Sequence, residues 1–171
     1  ASWRFIGLKR RFRFIEERHS TMMNQSTSNN IPLDTILPHG GQLVNRMLRG
    51  EMRQAVQERA QKLPKINLNN MNLSDLELIA TGAMSPLTGF MGQADYERVV
   101  SEMRLSNNLL WSIPVTLPVS DDVAATIEPG QEIALCESDR VLAIMEVAEK
   151  FAYDKQREAE LVYGTTDEAH P

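Results

Sequence analysis

The sequence has one cysteine, Cys136, and three histidines in 171 residues. A single cysteine excludes an internal disulfide and is typical of a reducing compartment, so we expect a cytoplasmic location. Its neighbours Leu135 and Glu137 supply no cation, which predicts a packed small side chain rather than a reactive thiol. One cysteine and three scattered histidines show no metal-ligand spacing, so we expect no metal site.

Long apolar segments are also missing. No run of about eighteen apolar residues is present, so the sequence predicts no membrane-spanning helix and no membrane partner. A chain of 171 residues is long enough to bury a core without disulfides or metals. We therefore expect one soluble domain.

The familiar phosphate-binding loops are absent as well. The sequence contains no Gly-x-x-x-x-Gly-Lys-Ser/Thr, no Gly-x-Gly-x-x-Gly and no His-x-x-His. Such loops matter because the backbone N–H groups of glycine-rich turns and helix starts stabilise bound phosphate. The sequence therefore assigns no catalytic residue and no cofactor-binding residue to this chain.

Charge is unevenly distributed. Residues 1–30 hold six of the 18 Lys and Arg and two of the 23 Asp and Glu, a balance of +4. The other 12 basic and 21 acidic residues give residues 31–171 a balance of −9. Because phosphate contacts depend on clustered Lys and Arg, this balance argues against a nucleic-acid partner.

The composition changes at about residue 30. Residues 1–30 mix aromatic and arginine side chains with a polar run, and are predicted to be disordered or non-native; residues 31–171 are predicted to be the folded domain. The absence of a starting methionine, together with Met22 and Met23 just before the polar linker, favours translated upstream sequence or part of a fragment as the origin of residues 1–21. An RNA-binding arm and a targeting segment stay open as alternatives. Deletion of residues 1–21 is expected to leave the thermal unfolding midpoint nearly unchanged.

Periodicity predicts helices first and strands later, an α+β order. Apolar residues at steps of three and four predict amphipathic helices, and alternation predicts strands. Two prolines should make the first long strand an edge or irregular one. The predicted elements are helices over 44–63, 93–103 and 154–163, a strand over 111–119, an acidic loop over 120–122, and a hairpin with arms 132–136 and 141–147.

Another short helix is predicted by its end signals. Ser74 and Glu77 have the spacing of a capping box, with Leu73 and Leu78 placed as a hydrophobic staple. Gly82 is the expected left-handed residue that ends this helix.

The stretch LSDLELIATGAMSPLTGFM, residues 73–91, resembles the signature segment of the N-terminal domain of sulfate adenylyltransferase, or ATP sulfurylase. Four further segments match the family in the same order, so the resemblance runs from about Ile36 to the last residue. They are PHGGQLVNR at 38–46, ADYERVVSEMRL at 94–105, WSIPVTLPV at 111–119 and VYGTTDEAHP at 162–171.

This resemblance implies a PUA-like fold, a small mixed β-barrel with peripheral helices. The full-length family enzyme uses Mg-ATP and sulfate as substrates and forms adenosine phosphosulfate and pyrophosphate in sulfate assimilation. Its nucleotide motifs lie in a catalytic domain beyond the segments matched here. The resemblance thus implies a structural, docking domain that is inactive alone, with the catalytic domain of the same enzyme as partner and a homo-oligomer at full length. A stand-alone PUA-like module that binds RNA or protein stays open as the alternative.

The loop over 83–92 carries three apolar side chains at spacing three, Met84, Leu87 and Phe90. Exposure of all three would leave a patch that isolated domains avoid unless a partner covers it. We therefore expect a candidate interface for the catalytic domain or a neighbouring subunit, with Phe90 as its anchor. A purely core role for the three is the other interpretation.

Overall fold

The computed structural model describes residues 3–15 and 36–167. Two short strands and four helices lie between an N-terminal strand and the β-hairpin near the C-terminal end. They are β1 (Trp3–Phe14), α1 (Gly50–Ala60), β2 (Lys65–Asn67), α2 (Asn70–Thr81), α3 (Gln93–Glu102), β3 (Leu117–Ser120), α4 (Asp121–Ala125), β4 (Glu132–Glu137), β5 (Arg140–Ala152), α5 (Lys155–Glu158) and a π-helical turn (Ala159–Tyr163).

One five-stranded mixed sheet organises the domain, in the order β2-β4-β5-β1-β3. β2 is parallel to β4, whereas the other three pairs are antiparallel. β4 and β5 form the predicted hairpin, and both are interior strands as their apolar composition suggested. The mixed sheet with helices around it confirms the α+β prediction.

The core is continuous from the sheet to α2 and α3. Its side chains come from strands, helices and the loop over 83–92. Cys136 is fully buried in a second cluster beside α1, together with Val56 and Ile144. This position confirms the predicted packed side chain, and the burial raises the pKa of the Cys136 thiol.

β1 lies inside the sheet between β5 and β3. It pairs with residues at 117–152, far along the chain, and the register with β5 shifts on both sides of Leu8. Phe5, Ile6, Phe14 and Ile15 are buried. The prediction of disorder over 1–30 therefore does not describe residues 3–15, while residues 1, 2 and 16–30 of that prediction lie outside the described residues. The origin of residues 1–21 stays a prediction.

Two glycines allow β1, β5 and the start of α3 to approach closely. A Cβ on Gly92 would lie 2.4 Å from Glu149 Oε1, and a Cβ on Gly7 would lie 2.7 Å from Gly92 Cα. Glu149 Oε1 accepts a hydrogen bond at 2.9 Å from the backbone N–H of Gln93, one of the free donors at the start of α3. This contact fixes one end of the loop over 83–92.

The start of α2 differs from the prediction. Asn69 caps the helix by accepting from the N–H of Asn72 at 2.8 Å, and Ser74 lies inside the helix, where its Oγ donates to Asn70 O at 3.1 Å. The capping box at Ser74 is therefore wrong, because Asn69, five residues earlier, supplies the cap. Gly82 ends α2 with φ 88°, as predicted.

Other boundaries move for local reasons. Residues 44–49 do not join α1, because Met47 forms a bridge with Phe14 and the N–H of Leu48 donates to Phe14 O at 2.9 Å. The predicted strand over 111–119 shrinks to Leu117–Ser120, and the predicted acidic loop is instead α4, capped by Ser120. α3, the hairpin and the final helical segment, capped by Asp154 and ended at Gly164, are confirmed.

Within residues 3–15 and 36–167, every helix is too short or too polar to span a bilayer.

Candidate functional site

The loop over 83–92 is held by hydrogen bonds within the fold. Ser85 is 3% exposed; its Oγ donates to Gly82 O at 2.6 Å and accepts from the N–H of Val44 at 2.9 Å. Further along, the N–H of Met91 donates to Val115 O at 2.8 Å. The loop is therefore hydrogen-bonded to Gly82, Val44 and Val115.

The structure separates the three side chains of the predicted interface. Phe90 is 2% exposed and Leu87 is 6% exposed, and both belong to the main core cluster. Met84 packs against the same cluster but also reaches a groove on the surface. Phe90 and Leu87 thus occupy core positions, and Met84 is the one that lies where a partner has access.

That groove has a volume of about 620 Å³. Its walls come from α2, from the loop over 83–92, from residues 110–115 and from the π-helical turn. Four of its apolar side chains are more than half exposed: Met71 at 73%, Leu110 at 58%, Ile113 at 52% and Tyr163 at 53%. Exposed apolar surface of this kind is typical of sites that bind another protein, a membrane or a ligand. We call it the Met71–Tyr163 groove.

One carboxylate lies in this apolar groove. Asp75 is one turn after Met71 on α2, and Leu78, 42% exposed, follows on the same face. Burial raises the pKa of the Asp75 carboxyl, because the groove removes water from its charged form. Among the described residues, Asp75 has no hydrogen bond or ion pair. The groove thus offers apolar contact and one carboxylate.

The irregular segment over 110–116 forms much of the groove. Trp111 Nε1–H donates to Ile113 O at 2.9 Å, and the N–H of Trp111 donates to Met103 O at 2.8 Å. The first bond lies within the segment and the second joins it to the residue that ends α3, and Ile113 is exposed. Sequence reasoning missed the groove. The available signal was the spacing of Met71, Asp75 and Leu78, which places two apolar residues on the face of α2 opposite its core side.

A second cluster fixes the position of the π-helical turn. The hydroxyl of Tyr96 lies beside the Glu158 carboxylate, whose Oε2 is buried without a hydrogen-bond partner among the described residues, and Arg157 Nη1 donates to Glu97 Oε2 at 2.9 Å. Burial raises the pKa of Glu158, and the neighbouring Tyr96 hydroxyl partly offsets that shift. These contacts tie α5 to α3, and thereby hold Tyr163 at the groove.

The described ranges contain no group of three or more His, Cys, Asp or Glu side chains arranged to hold a metal ion. The Met71–Tyr163 groove, with its exposed apolar side chains, is suited to binding.

Comparison with known families agrees with this fold. Residues 36–171 match the family described as PUA-like domain. The chain belongs to this family. This confirms the predicted fold. The PUA-like match begins after β1, so the strand that fills the sheet between β5 and β3 comes from outside the family domain.

The PUA-like domain also has relatives of known name. It is 57% identical over 137 residues to the sulfate adenylyltransferase of Symbiobacterium thermophilum and 52% identical over 139 residues to that of a Synechococcus species. These matches cover 80% and 81% of this chain and 35% of each relative, so the chain spans about a third of their length. They confirm the resemblance seen in the sequence.

A solved structure shares the fold. A hexameric APS kinase from Thiobacillus denitrificans superimposes with a TM-score of 0.58 and 32% identity, over 69% of this chain and 27% of that chain. In both comparisons the PUA-like domain corresponds to a minor part of a longer polypeptide.

Proposed function

We propose that this PUA-like domain is the N-terminal domain of a sulfate adenylyltransferase and that its role there is structural, as a docking surface for the catalytic domain. The observation that carries the proposal is 57% identity confined to 35% of the relative's length. Identity of that level supports a shared function. Because the match covers only about a third of the relative, the remaining two thirds can hold its catalytic residues.

The groove supports the docking role. Tyr163, in the last described helical element, forms part of the groove wall. A polypeptide that continues past this element emerges beside exposed apolar side chains that need a cover. In a longer protein, the domain that follows is therefore well placed to lie on the Met71–Tyr163 groove.

The reaction itself is expected to take place elsewhere in the complete protein. Transfer of the adenylyl group from Mg-ATP to sulfate brings two anionic substrates together, which requires converging cationic groups and N–H donors. The Met71–Tyr163 groove offers apolar side chains and a carboxylate instead. We therefore propose that this chain alone forms no adenosine phosphosulfate, and that its partner is the catalytic domain of the same enzyme.

Assembly and location follow as parts of the same proposal. A neighbour of this fold is hexameric, which supports a homo-oligomer for the complete protein. The buried free thiol of Cys136 is in keeping with a cytoplasmic protein.

A second candidate comes from the structural comparison. The same fold occurs in a chain named APS kinase, so this domain could instead precede a kinase. Identity favours the first candidate, at 57% against 32%. The reading frame downstream of the Pro171 codon separates the two: a sulfate adenylyltransferase catalytic domain supports the proposal, whereas a kinase domain directly after Pro171 or a stop codon contradicts it.

A chimera provides the functional experiment. Residues 1–171 replace the matched third of the Symbiobacterium thermophilum enzyme, and pyrophosphate release is followed with ATP, magnesium and sulfate. We expect sulfate-dependent release by the chimera and background release by the isolated chain. Turnover by the isolated chain, or a folded but inactive chimera beside an active parent enzyme, contradicts the proposal.

A further inference from the structure

We propose that the Met71–Tyr163 groove receives a segment of the catalytic domain that carries a lysine or arginine side chain, and that this cation pairs with Asp75. The inference rests on the proposed function and adds the chemistry of the partner segment to it.

The position of Asp75 is the first step. It lies between Met71 and Leu78 on the outward face of α2 and helps to line the groove. An apolar partner surface laid over this face would therefore also cover the carboxylate.

Covering an unpaired carboxylate is unfavourable. Removing a charge from water without a partner is in general more unfavourable than a few apolar contacts are favourable. Asp75 is already partly buried in the open groove, and that burial raises the pKa of its carboxyl. A cation from the partner removes that penalty, and charge-assisted hydrogen bonds then add specificity to the apolar contact.

The surrounding side chains suit a long basic residue. Lysine and arginine bury their methylene stems against apolar surface while the charged end reaches an acceptor. Met71 and Trp111 line the groove with Asp75 and offer such a surface, and the ring of Trp111 also attracts cations.

Two other occupants suit the groove less well. A second copy docked by a two-fold axis would bring two Asp75 carboxylates into one interface, where like charges repel. A nucleic acid would place phosphates near Asp75 on a body with a charge balance of −9. The charge of the groove thus favours a cationic polypeptide.

The experiment uses the chimera with a protease site after residue 171, so that its two parts can be cleaved and their dissociation constant measured. Asp75→Lys and Asp75→Asn are compared with Asp139→Lys, a matched charge change in the exposed turn of the hairpin. We expect Asp75→Lys to weaken association at least about tenfold and Asp75→Asn to weaken it less. Asp75→Glu, which keeps the carboxylate, should bind more tightly than Asp75→Asn. Asp139→Lys should change the affinity less than about twofold.

The outcomes separate this inference from the proposed function. If the uncleaved chimera is active but Asp75→Lys and Asp139→Lys weaken association equally, the proposed function stands and the pairing at Asp75 is wrong. Concentration-dependent dimerisation of the isolated chain that Asp75→Asn strengthens would identify a second copy as the occupant and overturn the inference. Circular dichroism of each isolated variant confirms folding, and Asp75→Asn provides the comparison should Asp75→Lys unfold.

Discussion

The rings of Phe5 and Tyr153 stack with centroids 3.8 Å apart and planes inclined by 18°. Phe5 belongs to β1, whereas Tyr153 follows β5 near the other end of the domain. Phe5 also meets Tyr96 and Phe151 edge to face, at 5.3 and 5.6 Å. β1 is therefore bound to the domain by side-chain packing as well as by its ladders, although it lies outside the PUA-like match.

Phe5→Ala is expected to destabilise the chain by about 3 to 5 kcal/mol, because it removes a ring that is 3% exposed from an aromatic cluster. Urea denaturation measures the change. Arg4→Ala, which removes a half-exposed ion pair with Asp121, serves as the control in the same strand and should cost no more than about 1 kcal/mol. Equal stability of Phe5→Ala and the parent chain would show that β1 does not belong to the core.

Deletion of residues 1–15 is expected to lower the thermal unfolding midpoint strongly. The deletion leaves β3 and β5 without their shared neighbour and exposes their ladder edges. Differential scanning calorimetry is the measurement. The composition alone predicted a nearly unchanged midpoint on deletion of residues 1–21. An unchanged midpoint would support that prediction and contradict a structural role for β1.

The observed cap of α2 at Asn69 can be distinguished from the start that the sequence motif placed at Ser74. Asn69→Ala removes the side chain that accepts from the N–H of Asn72 and should cost about 1 kcal/mol. Ser74→Ala removes an exposed hydroxyl inside the helix and should change stability by less than about 0.5 kcal/mol. Chemical denaturation of the two variants gives the comparison, and the reverse ranking would support a helix start at Ser74.

Phe90 and Met84 separate core from groove within one loop. Phe90→Ser should destabilise the isolated chain by about 3 to 5 kcal/mol, since the ring is buried in the main cluster. Met84→Ser should cost distinctly less, because part of that side chain already faces the groove. Thermal unfolding of both variants tests this. A small change in the unfolding midpoint of Phe90→Ser would contradict the core position and support the predicted interface role of Phe90.

Glu158 is expected to make the free energy of unfolding depend on pH. Burial raises the folded pKa of Glu158 above its unfolded value, so the folded state retains this proton to higher pH and stability is lost as pH rises through the folded pKa. Glu158→Gln should therefore match the parent chain at acid pH and exceed its stability above that pKa. The exposed neighbour Glu160→Gln is the control. Thermal midpoints across a pH series check the sign, and a growing deficit of Glu158→Gln with pH would contradict it.

Local signals predicted the elements that local interactions decide. Gly82 and Gly164 end helices with left-handed backbone, and the period of three and four placed α3 within a residue. The β4–β5 hairpin was readable because its turn separates two apolar arms. In these places no distant part of the chain competes with the local preference.

Distant pairing decided what the sequence missed. The composition of β1 predicts a disordered segment, but β1 forms ladders with both β3 and β5. Met47 was predicted to lie in the first helix and instead forms a bridge with Phe14. The strand over 111–116 fails because Trp111 bonds to Ile113 and Met103 instead of to a neighbouring strand. The groove arises from that failure, so no reading of alternation alone could locate it.

The docking role is tested most directly by hydrogen–deuterium exchange, measured for the isolated chain and for the chimera under identical conditions. The account predicts slower amide exchange over residues 110–113 in the chimera, because the catalytic domain covers the Met71–Tyr163 groove, and equal exchange in both proteins at the hairpin turn over 137–140. Equal exchange over 110–113 in an active chimera would contradict docking through this groove.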